Sequence, residues 1–198
     1  YYLKNYHYNE LANIAIKIIE SANQISKVKK KHQLLAKGLY DLAKLQFETN
    51  KMIPGMYSFE KLYPMYKISS IDKTQFIRWL LQLGKLLKSL KNFEDAKTIL
   101  EHQIEVSKFL DNHYFIHGLK VLVGLFIKQN KLKQAYDTFF KEAKVLVKYA
   151  KSSSYISPII KNLIIVGSRL RKKNELEFST RVIQYVIKLS QDSKDRKS

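Results

Sequence analysis

Small residues recur through this chain at a spacing that a stack of paired helices explains. The stretch from Trp79 to Glu105, WLLQLGKLLKSLKNFEDAKTILEHQIE, has the form of a helix, a short turn and a second helix. Slid along the sequence, it superimposes Ala43, Gly84, Gly124 and Gly167, at successive separations of 41, 40 and 43 residues. Twelve residues after the small residue of the first helix comes another in the second: Gly55, Ala96 and Ser179. Ala135 follows Gly124 after a turn one residue shorter. Helices approach to about 8 Å only where a side chain does not hold them apart, so two small residues per copy mark one helix crossing per hairpin.

The flanking positions agree. Leu42, Leu83, Val123 and Val166 stand one residue before the first small residue, and Gln46, Leu87, Ile127 and Leu170 three after it. Four residues beyond the second small residue come Phe59, Leu100, Phe139 and Ile183, one helical turn along the same face. Gln46 alone interrupts these columns. Three prolines and six glycines in 198 residues suit long uninterrupted helices.

Helix ends fit the same register. Ser70 and Asp72 are N-cap candidates for the helix carrying Trp79, Asp111 or Asn112 for that carrying Gly124, and Ser153 or Ser154 for that carrying Gly167, with Pro158 in its first turn. An Asn falls in each turn, at Asn50, Asn92, Asn130 and Asn174, as expected of a residue that accepts left-handed backbone at a helix C-terminus. These signals predict repeats over 31–67, 72–110, 112–150 and 154–192, within a single domain over 1–192, and a disordered tail over 193–198. Residues 8–27, with Ala12, Ile16 and Ile19, read as a second helix without its partner. Either this is a capping helix, or the array is cut at Tyr1, which the apolar Tyr1, Tyr2 and Leu3 favour.

With Ala96 and Ala135 at the place of its alanine, the pattern resembles the tetratricopeptide (TPR) repeat over about Lys31 to Asp192. It departs in a period of about 41 rather than 34 residues, and in Leu39, Leu80 and Leu163 where the family has an aromatic. The resemblance implies an all-α fold, a right-handed superhelix (α-solenoid) of antiparallel hairpins, and a non-enzymatic protein–protein interaction role as adaptor or scaffold. TPR-like chains with longer helices include scaffold subunits and the peptide-sensing domains of bacterial peptide-pheromone transcriptional regulators. The second is the alternative reading, and a helix-turn-helix upstream of Tyr1 would favour it.

Searching for chemistry supports binding over catalysis. There is no cysteine, and no glycine-rich phosphate loop, GxSxG or HExxH motif, so no catalytic residue, cofactor or metal is expected. His113 and His117 lie four apart but lack an obvious third ligand. Apolar runs such as Val121 to Ile127 are far short of a membrane span, and with no signal-peptide pattern at its start the chain is expected to be intracellular, in the cytoplasm.

Lys and Arg number 36 against 17 acidic residues, a net charge of +19 that attracts acidic protein, nucleic acid or anionic surfaces. An AT-rich coding bias with lysines solvating helix faces is the plainer account of the same count. If the TPR resemblance holds, the first helix of each hairpin lines a concave groove, at positions six and three before and one and four after its small residue. Those are Lys37, Tyr40, Lys44 and Phe47; Arg78, Leu81, Lys85 and Lys88; Gly118, Val121, Leu125 and Lys128; and Lys161, Ile164, Ser168 and Arg171. The column Tyr40, Leu81, Val121 and Ile164 is apolar and bordered by cations, which suits an acidic or amphipathic protein segment.

Nucleic acid is the further alternative, through KVKKK at 27–31, RLRKK at 169–173 and the basic tail. Aromatics do not interleave with these clusters, and no repeated polar pair recurs to read bases. Exposed repeat ends are compatible with self-association, and a subunit whose outer surface docks into a larger assembly, with the groove idle, is a third reading.

Overall fold

The computed structural model describes residues 16–17, 29–108, 110, 112–149 and 153–194. Ile16 and Lys17 are helical; the rest of the half repeat expected at 8–27 lies outside the described residues. Among the described residues the chain is all-α, with eight helices: α1 Lys29–Glu48, α2 Met52–Leu62, α3 Lys73–Ser89, α4 Phe93–Ser107, α5 Asn112–Lys128, α6 Leu132–Tyr149, α7 Ser153–Lys172 and α8 Leu176–Lys194. A 3-10 helix, Tyr63–Lys67, extends α2. Helix α8 reaches Lys194, so Ser193 and Lys194 of the expected tail are helical, and Pro158 is the sixth residue of α7 rather than part of its first turn. The chain divides into two compact units, Tyr1–Leu87 and Lys88–Ser198.

Three turns share one hydrogen-bonding pattern. After α1, Asn50 adopts φ 61° while the Lys51 N–H donates to the Gln46 carbonyl at 2.7 Å and the Asn50 N–H to the Phe47 carbonyl at 2.9 Å. Asn130 (φ 60°) and Asn174 (φ 64°) close α5 and α7 in the same way. This is the Schellman arrangement, which satisfies carbonyls that the helix end leaves without partners. The turn after α3 differs from expectation. Lys91, not Asn92, takes the left-handed conformation (φ 62°), and the Asn92 side chain instead accepts from the Asp95 N–H as the N-cap of α4. A side chain able to cap a helix start was diverted to that use, leaving the strained position to a lysine. Asp72 caps α3 through the Gln75 N–H at 3.0 Å, whereas the Ser70 hydroxyl meets His32 Nδ1 at 3.0 Å.

In the first unit α1 packs on α2 where Phe47 lies over Gly55: a Cβ placed on Gly55 would stand 2.3 Å from Phe47 Cε1. Gln46, the apparent fault in its column, is buried, and its Oε1 accepts from the equally buried Ser58 hydroxyl at 2.7 Å. An aromatic chain runs from Phe59 through Tyr63, Tyr66, Phe76 and Trp79 to Tyr40, with neighbouring ring centroids 5.3 to 6.4 Å apart. Such spacing brings ring contacts beyond simple area burial. The 68–72 loop is tied to α1 by the Asp72 N–H donating to Gln33 Oε1 at 2.9 Å.

The second unit repeats the plan with different fillings. α4 meets α5 where the buried Gln103 amide occupies the space beside Gly118; its Nε2 donates to the Tyr114 carbonyl at 3.0 Å. α7 and α8 cross at Gly167, whose carbonyl accepts from the buried Ser179 hydroxyl at 3.0 Å. Here the expected column fails at its last member: Phe139 is buried but Ile183 is 50% exposed, and Val182 packs against Gly167 instead. Tyr136, Phe140, Phe178 and Tyr185 form a second aromatic cluster joining α6 to α8.

Candidate partner-binding surface

The expected groove positions separate by chemistry. Lys37, Lys44, Arg78, Lys85, Lys128, Lys161 and Arg171 are exposed. Tyr40, Phe47, Leu81, Val121 and Leu125 are core residues, so the apolar column does not stand open along its length. Only Ile164 of that column is exposed, at 51%. Gly118 is likewise buried, and Ser168 exposed. Apolar side chains three before or four after a crossing residue are within reach of adjacent elements, and the hydrophobic effect buries them there.

Tyr40 shows how this happens. Its ring stacks on Trp79 of α3, with centroids 5.3 Å apart and planes 13° from parallel, and its hydroxyl donates to Gln82 Oε1 at 2.5 Å. Burial raises the phenol above its usual pKa, and the carboxylates of Asp41 and Glu48 add to the shift.

The cations differ in how strongly they are engaged within the chain. On α1, Lys37 pairs with Asp41, and Lys44 with Glu48 at 3.7 Å, each one turn apart. Exposed pairs of this kind contribute about 0.3 to 0.5 kcal/mol and are readily exchanged for another anion. Lys88 is half-buried: its ammonium lies beside Gly124, where a Cβ would stand 3.1 Å away, and donates to the Val121 carbonyl at 3.3 Å. It thus serves the packing of its unit. Arg169, from the basic run at 169–173, reaches back to the Ile127 carbonyl near the end of α5 at 3.1 Å, a role that spacing did not reveal.

A cleft of about 390 Å³ opens between the start of α6 and the α7–α8 turn, lined by Lys131, Lys133, Lys173, Asp137, Glu175 and Phe178 among others. Lys131 donates to Glu94 Oε1 at 3.0 Å and holds that carboxyl below its usual pKa, while Lys133 lies 5.5 Å from the Phe178 ring centroid. The cleft mixes both signs of charge. Sequence spacing missed it because its walls come from two hairpins.

His113 and His117 have ring centroids 6.2 Å apart, and among the described residues no group of three or more potential ligands is placed for a metal ion. No helix among them is long and apolar enough to cross a membrane.

No family model matches the chain, and no curated protein matches it. Among solved structures it is similar to a Podosopora anserina putative kinesin light chain with nearly identical TPR-like repeats, and to a point-substituted form of that protein. Each is 8% identical with a TM-score of 0.48; 97% of this chain and 91% of that one are covered, or 98% and 92% for the substituted form. A third similar structure, the MamA RS-1 ArsTM double mutant, is 11% identical over 91% of this chain and 95% of its own, with a TM-score of 0.42.

Proposed function

We propose that this chain is a non-enzymatic, TPR-like interaction module whose first helices present cations to an acidic segment of a partner protein. The observation that carries this reading is the sorting of the register positions: seven of the eight with Lys or Arg are exposed, Lys88 being half-buried, while five of the six apolar ones are core. The ligand is therefore expected to be held by charge more than by apolar anchors. Each exposed ion pair contributes only about 0.2 to 1 kcal/mol, so binding must be multivalent and salt-sensitive. An apolar side chain of the partner has one open position to meet, Ile164.

The test is fluorescence anisotropy of a labelled Asp/Glu-rich peptide and, separately, of a single-stranded oligonucleotide, each titrated with nuclease-treated protein across a salt series. Peptide binding that is lost on Lys128→Glu with Lys161→Glu supports the reading. An oligonucleotide that binds more tightly than the peptide, with one tenfold loss or more per threefold rise in salt, would overturn it in favour of phosphate binding.

A further inference from the structure

The last hairpin carries apolar residues at register positions that earlier hairpins bury. Three residues before the crossing residue, Tyr40, Leu81 and Val121 are all core, and Ile164 is open. Four after the second small residue, Phe59, Leu100 and Phe139 are core, and Ile183 is open. Ile187 and Leu176 extend this exposed apolar face along α8. Apolar character persists through the register while burial does not, so the difference lies in what covers each position. For Tyr40 the cover is the flat face of Trp79, from the first helix of the following hairpin.

A matching gap exists on α1. In α5 the positions nine and five before, and two after, the small residue hold Phe115, Leu119 and Phe126, all buried. Position five before is also that of Trp79, which covers Tyr40, and position two after is that of Arg169, which reaches the preceding α5. These are therefore positions from which a first helix meets the hairpin before it. On α1 they are Leu34, Gly38 and Leu45. Leu34 is 69% exposed and Leu45 51%, and a Cβ on Gly38 would have nothing within 4 Å.

We propose that copies of this chain associate head to tail, the α7–α8 face of one seating on α1 of the next, with Ile164 entering the space at Gly38 between Leu34 and Leu45. The contact continues the packing by which the α5–α6 hairpin already meets α7 and α8. Bulk on one face meets a residue without a side chain on the other. The contact is heterologous, so each copy of a pair keeps one face free for a further copy. Copies each bearing a charge of +19 repel one another, so screening salt strengthens this association, opposite to its effect on an acidic ligand.

Sedimentation equilibrium of nuclease-treated protein, from low to several hundred micromolar and at two salt concentrations, tests the proposal. The weight-average mass should rise above the 23.3 kDa monomer with concentration, and further with salt. Ile164→Glu with Ile183→Glu, blocking one face, and Leu34→Glu with Leu45→Glu, blocking the other, should each hold the mass at the monomer. An equimolar mixture of the two should stop at twice that mass, because each retains the face the other lacks. Gly38→Leu, which fills open space without adding charge, should also block association while leaving the circular dichroism spectrum unchanged. A wild-type mass that stays at the monomer, blocked variants that still assemble, or a mixture that forms no dimer would each overturn the proposal.

Discussion

Two glycines of the first hairpin provide a controlled comparison of helix propensity with packing. Gly38 and Gly55 both lie within helices, so replacing either by Ala gains about 1 kcal/mol of intrinsic helix preference. At Gly38 the new methyl meets nothing within 4 Å, and the gain is expected nearly in full. At Gly55 it would stand 2.3 and 2.4 Å from two ring carbons of Phe47, over 1 Å inside ordinary contact. Phe47 is wholly buried, so the ring cannot swing aside into solvent. Overpacking of this kind costs about 1 to 3 kcal/mol, which cancels or exceeds the propensity gain. Gly55→Ala is therefore expected to lie about 1 to 3 kcal/mol below Gly38→Ala, and Phe47→Leu should remove most of the clash. Trp79 is the sole tryptophan and sits in the same unit, so its fluorescence reports this hairpin's surroundings during urea unfolding. At a slope of about 2 kcal/mol per molar, the two midpoints should differ by roughly 0.5 to 1.5 M. Equal midpoints for the two variants would refute the argument that contact with Phe47 dictates a small residue at position 55.

Other perturbations probe separate features. Ser58→Ala strands the buried Gln46 oxygen and should cost about 1 to 3 kcal/mol by the same urea assay, whereas Ser58→Ala combined with Gln46→Leu should recover most of the loss. Lys91→Gly should raise the unfolding midpoint, read by circular dichroism, because left-handed backbone costs an ordinary residue about 1 to 2 kcal/mol, only partly offset by the added freedom of Gly in the unfolded chain. Burial raises the Tyr40 phenol above the unfolded value near 10, so its contribution to stability is complete below about pH 10 and is lost as pH climbs through the folded value. Tyr40→Phe should accordingly flatten the alkaline fall of the urea midpoint, and an unchanged slope would remove Tyr40 as its source.

What this sequence determined alone are the features with short-range causes. Small residues recur because two helices cannot cross closely over large side chains, and that requirement is visible as spacing. Asn50, Asn130 and Asn174 mark turns because few residues with a side chain accept left-handed backbone. Tertiary structure decided what covers each apolar position. Tyr40 and Ile164 occupy the same register and both read as groove lining, yet one is stacked under Trp79 and the other is open. Gln46 looked like an error until Ser58, twelve residues away on the facing helix, supplied its hydrogen bond. Lys88 and Arg169 looked like surface charge, and each proved to be donating to a carbonyl more than thirty residues away. Backbone preferences act within one turn, whereas burial and hydrogen bonding depend on neighbours that the chain delivers from the next hairpin, so a position's chemistry can be read locally while its use cannot.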